Sequence, residues 1–102
     1  MKRNIYMIYD SAAAMYIGPL VYRADGEALR DFEAGSMNAD SKFGQNPEDF
    51  SLYKVGSFDD HDAILIPQDK ICLATAQELL AKARQKETVV ENVTRISAGG
   101  TD

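Results

Sequence analysis

Residues 46–66 narrow the possible folds more than any other part of this chain. Asn46 before Pro47 is a helix-start pair, since proline is accepted at a first helical position whose N–H has no intrahelical partner, and Pro47-Glu48-Asp49 is therefore expected to form a single turn. The β-branched and aromatic run from Leu52 to Phe58 then reads as a strand, with Gly56 marking a bulge. Asp59-Asp60-His61-Asp62 has the composition of a hairpin tip, and Ala63-Ile64-Leu65-Ile66 that of a short return strand ended by Pro67. From Asn46 to Asp60 the block specifies a turn and a strand leading into a hairpin tip while holding no plausible catalytic group.

The flanking segments extend the pattern. Asn4-Ile5-Tyr6-Met7-Ile8-Tyr9 is a strand with apolar groups on both faces, so both faces need cover. Residues 10–19 form a connection through Ala12-Ala13-Ala14 to Gly18-Pro19, and Leu20-Val21-Tyr22-Arg23-Ala24 is a second, antiparallel strand. Asp25 is placed to cap a helix from about Gly26 to Gly35, with Ala28, Leu29 and Phe32 on its apolar face. From Ser36 to Gln45 the polar composition predicts a loop, with Met37 and Phe43 as its anchors. Thr75 followed by Glu78 has capping-box spacing. Leu79, Leu80, Ala83, Val90 and Val93 then share a broad face, and the i,i+4 pairs Glu78 with Lys82 and Glu91 with Arg95 support a long helix to about Ile96. The expected fold is α+β: one domain over residues 1–102, a small antiparallel sheet of about four strands in β-β-α-β-β-α order, a long C-terminal helix, and a flexible tail over 97–102.

Composition supports a single folded domain, because 45% hydrophobic and 26% charged residues in a 102-residue chain is ordinary globular usage. Chemistry is sparse. The lone Cys72, between Ile71 and Leu73, cannot form an internal disulfide and is expected to be a buried small hydrophobe. The lone His61 sits among aspartates in the turn, so no Cys/His or Ser/His/Asp set is available, and adjacent turn carboxylates splay rather than converge on an ion. Nothing has the spacing of a zinc site or a phosphate loop. We therefore expect no enzyme, no cofactor and no metal. No apolar stretch approaches a membrane span, and cytoplasm is the default location.

Binding residues are better represented. Tyr6, Tyr22 and Tyr53 fall within predicted strands and are candidates for a base-stacking platform, with Arg3, Arg23 and Lys54 as neighbouring cations. Lys82, Arg84 and Lys86 make a secondary basic patch on the last helix. The net charge of −5 opposes nonspecific attraction of nucleic acid and favours, as the other reading, an adapter presenting an acidic surface to a basic protein. The long apolar stripe of that helix and the two-faced first strand point to a homodimer.

The ordered words Ile5-Tyr6-Met7-Ile8-Tyr9-Asp10-Ser11 and Pro47-Glu48-Asp49-Phe50-Ser51-Leu52-Tyr53-Lys54-Val55-Gly56-Ser57-Phe58-Asp59-Asp60, with Gly18-Pro19 and Ala28-Leu29-Arg30-Asp31-Phe32 between them, resemble the small nonstructural protein of gokushoviruses. These are single-stranded DNA bacteriophages of the microvirus family. The likeness spans about residues 2–68. It implies a protein of the host bacterial cytoplasm, absent from the mature virion, that binds single-stranded DNA or a phage or host replication protein and favours synthesis of single-stranded genomes.

Overall fold

The computed structural model describes residues 1–85. Strands β1 (Lys2–Asp10) and β2 (Met15–Tyr22) lead into helix α1 (Asp25–Met37) and the short α2 (Lys42–Gln45); a 3-10 turn (Pro47–Asp49) precedes β3 (Phe50–Asp59) and β4 (Ile64–Thr75). A further helix, α3, occupies 76–85. The strands form one sheet in the order β2-β1-β3-β4, every neighbouring pair antiparallel. This is the expected α+β architecture, with the turn at Pro47–Asp49 where the sequence places it.

Alternation along the strands creates one covered face. Tyr6 and Ile8 of β1 and Phe50 and Leu52 of β3 are buried against Ala28 and Phe32 of α1 and Ala76 at the start of α3. Burying each of the larger side chains contributes roughly 1.5–3 kcal/mol. In α1, Ala28, Phe32 and Ser36 recur at i,i+4 and form the inward stripe, with the Ser36 hydroxyl donating to the Phe32 carbonyl at 2.8 Å. Phe43 from α2 wedges edge-to-face between Phe32 and Phe50, at ring separations of 5.7 and 4.8 Å. Phe43 is thus an anchor, as expected, but the segment around it is not a plain loop. Ser41 caps α2 by accepting from the Gly44 N–H, and a Cβ at Gly44 would be driven into the Asn38 carbonyl.

Several boundaries differ from expectation for identifiable reasons. Strand β2 starts at Met15 rather than Leu20, because the reversal after β1 is made by four residues alone, with Ala14 at φ 56°. Pro67 does not end β4, which runs on to Thr75: β4 is an edge strand, where a missing donor is tolerated. Register shifts flank Gly56 on both sides of β3, confirming the bulge, and a Cβ there would lie 2.8 Å from the Ile66 carbonyl oxygen. Asp25 is the first residue of α1 rather than its cap; its carboxylate accepts from the Tyr6 hydroxyl at 2.5 Å instead. Thr75 caps α3 as predicted, its Oγ1 accepting from the Glu78 N–H at 3.1 Å. The expected continuation to Ile96 and the tail over 97–102 lie outside the described residues. Cys72 is exposed, not buried, since its position in the edge strand faces away from the helices.

Candidate nucleic-acid interface

The second face of the sheet carries no helix among the described residues. The register fixes which side chains stand on it. Met7 is opposite Tyr53, and Tyr53 is opposite Cys72. Tyr9 pairs with Tyr16 across β1 and β2. Side chains of registered partners project to the same side. The face is therefore tyrosine-rich at the end where β2 begins.

Three rings meet there. Tyr9 and Tyr16 lie 4.8 Å apart with their planes tilted by 48°, and Tyr16 and Tyr53 lie 5.9 Å apart, edge to face at 73°. Lys70 arrives from a three-residue excursion in β4, where Lys54 pairs with Ile71 but Gly56 already pairs with Pro67. Its Nζ donates to the Tyr16 hydroxyl at 2.8 Å and sits 5.3 and 5.9 Å from the Tyr16 and Tyr53 ring centroids. The hydrogen bond to Tyr16 and the surrounding phenols raise the Lys70 pKa above its ordinary value, so the ammonium stays charged. Burial, with Cys72 and Tyr16 adding to it, pushes the Tyr53 phenol up, so the ring remains neutral. A cluster of neutral rings set at angles to one another, with one cation resting on two of them, can stack bases and touch a phosphate.

The residues picked out from the sequence are distributed differently. Tyr53 belongs to the cluster. Tyr6 is completely buried on the helix side, and Tyr22 packs on the same core with its ring 5.8 Å from that of Tyr6, so neither joins Tyr53 on one platform. The phenol of Tyr6 is pushed up to about 12 by burial and then by its bond to Asp25; that of Tyr22 rises through burial and then Asp31. Lys54 is also on the helix side, with Nζ 3.5 Å from Asp25. Arg3 reaches the hairpin tip, its Nε 3.2 Å from Asp60. The Asp60 carboxyl, which also holds the amino terminus at 2.6 Å, lies below the usual range through these two bonds. Arg23 is exposed in the bend after β2; Lys82 and Arg84 are exposed on α3, away from the rings, and Lys86 lies outside the described residues.

Tyr9, Tyr16 and Lys70 escaped the sequence reading. Tyr9 was legible in principle, because an odd separation from Tyr6 sends the two rings to opposite faces. Tyr16 was hidden by the late start assigned to β2, and Lys70 by the termination assigned to Pro67. No group of His, Cys, Asp and Glu among the described residues could hold a metal ion, and no described helix is long and apolar enough to cross a membrane. Residues 3–79 match the family model described as Phage ORF5 protein, a span that contains the whole tyrosine cluster and Lys70. No curated protein and no solved structure matches the chain.

Proposed function

The chain belongs to the Phage ORF5 protein family, and from that premise we propose that it is a nonenzymatic replication factor of a gokushovirus-like phage, binding single-stranded DNA through the open face of its sheet. It works by occupancy: covering a displaced strand keeps it from being copied back to duplex and favours genome strands for packaging. Its place of action is the host cytoplasm, outside the finished virion. The observation supporting this reading is the Tyr9, Tyr16 and Tyr53 cluster with Lys70 across it, on a sheet whose other face alone is covered by the described helices. Rings accept any base by stacking, at about 1–3 kcal/mol per base, and single strands offer faces that a duplex hides.

The test is a fluorescence-anisotropy titration with a labelled oligothymidine and with duplex of equal length, across a salt series. Single-stranded binding is expected to exceed duplex binding. Tyr53→Ala and Tyr16→Ala should each weaken it by roughly 5-fold to 150-fold. Lys70→Ala should flatten the plot of log affinity against log salt by about 0.7, the contribution of one phosphate contact on a single strand. Absence of binding at low salt, or affinity unaffected by all three changes, rejects the proposal.

A further inference from the structure

The end of the open face away from the tyrosines is apolar and is covered by no helix among the described residues. Val21, Ile5, Gly56 and Pro67 stand in one registered row across the four strands, and Arg3, Phe58 and Leu65 in the next. Leu65 is 68% exposed and Val21 46%. Ile64 and Ile66, which point to the other side of the same hairpin, are 57% and 55% exposed. Four consecutive exposed apolar residues on an edge strand, with no charge from Ala63 to Pro67, are a liability for a free monomer.

We infer that this hairpin is the contact between two copies of the chain. A hollow of about 250 Å³ opens beside Gly56, walled by Ile5, Val55, Leu65, Ile66 and Pro67. A projecting Leu65 and a hollow on the same patch are what a two-fold contact requires: the knob of each copy enters the hollow of the other. A heterologous partner would need only one of the two features. At the Arg3 end of the patch the charges engage one another, Asp60 holding Arg3 and the amino terminus, with Asp59 3.5 Å from the latter. Pro67 removes one backbone donor from the edge, so side-chain packing carries the contact more than strand addition. Leu65 and Val21 face the contact while Ile64 and Ile66 face away from it, so the apolar area each copy contributes falls short of what an obligate interface buries. The dimer is therefore reversible rather than obligate.

Sedimentation equilibrium over a concentration series decides it. The weight-average mass of the wild-type chain should rise from 11.3 kDa towards twice that value, while Leu65→Asp should stay at the monomer mass at every concentration with unchanged circular dichroism. Val21→Asp, at the opposite rim of the same row, provides a second exposed change that does not touch the core, and Tyr16→Ala should dimerise like the wild type. A wild-type chain that remains monomeric overturns the inference. So does a dimer that survives both aspartates, or one lost only with Tyr16→Ala, which would place the contact at the tyrosine end.

Discussion

Replacing Tyr6 with phenylalanine tests the best-defined polar contact between the sheet and the first helix. The ring stays in place, completely buried, and only the hydroxyl that donates to the Asp25 carboxylate at 2.5 Å is removed. A hydrogen bond to a charged acceptor contributes roughly 1.5–3 kcal/mol, and because Asp25 is 44% exposed at its side chain the lower end applies, about 1.5 kcal/mol. No buried carboxylate is stranded by the change, since Asp25 keeps Lys54 at 3.5 Å and water. For a domain of this size about 1.5 kcal/mol corresponds to a drop of roughly 6–10 °C in Tm, and to about 1 M in the urea midpoint. Asp25→Asn, which keeps an acceptor but loses the charge, should fall between wild type and Tyr6→Phe.

The same hydroxyl has a pH signature. Its pKa is raised from 10.0 to about 12, by burial first and the Asp25 bond second. A folded-state value above the unfolded one means the neutral phenol is favoured in the native state. Its contribution is present in full below pH 10 and is lost as pH rises from 10 towards 12. Ultraviolet titration should show the last of the five tyrosines ionising near the upper end of that window, and that phase should vanish in Tyr6→Phe together with part of the alkaline loss of stability. A variant with the wild-type urea midpoint and an unchanged titration would refute the assignment of the hydroxyl to Asp25.

Three further changes probe the helices and the hairpin tip. Gly44→Ala forces a Cβ into the backbone carbonyl of Asn38, where no flexible side chain can give way, and should cost more than about 2 kcal/mol by urea unfolding, while Gly26→Ala, with nothing within 4 Å of the added carbon, should be neutral or slightly stabilising. Asp60→Asn should return the amino terminus towards its ordinary value of 8.0, from which the Asp60 hydrogen bond chiefly raises it; nitrogen NMR of the amino group reads this. In the wild type the Asp60 part of this link is present above pH 3.8 and lost as pH falls through its lowered folded value, while the amino-terminal part is present below pH 8.0 and lost as pH rises through its raised one.

How much of this was legible in the sequence depended on whether a signal was local. The Thr75 cap, the Pro47 turn and the Gly56 bulge are each decided by residues within a few positions, and the structure has all three. Errors came where a local breaker met a nonlocal fact. Pro67 ends a central strand, but β4 became an edge only through its place in the sheet, which no window around residue 67 reports. Asp25 has the chemistry of a cap, and it was drawn off by Tyr6, nineteen positions away, into a contact that exists only after β1 and α1 pack. Grouping Tyr6, Tyr22 and Tyr53 as one platform failed for a related reason. Residence in a strand does not fix which face a ring takes; register and bulges do, and they put Tyr53 beside Tyr9 and Tyr16 instead.

That partition also bears on how a chain of net charge −5 would hold a polyanion. Asp25, Glu27, Asp31 and Glu33 all lie on α1, behind the covered face, whereas Lys70 lies over the open one. One packed layer separates them, roughly 10 Å, about a Debye length at 0.1 M salt, so at physiological ionic strength the acidic layer is largely screened from a strand bound to the tyrosines. Lowering the salt lengthens the reach of that repulsion along with the attraction of Lys70, and the two effects oppose each other. Affinity resting on stacking with one phosphate contact should therefore fall only slightly with salt, with a log–log slope near −0.7 or shallower. A steep slope would mean that several phosphate contacts are made elsewhere, and would move the site from the tyrosine face to the exposed cations of α3.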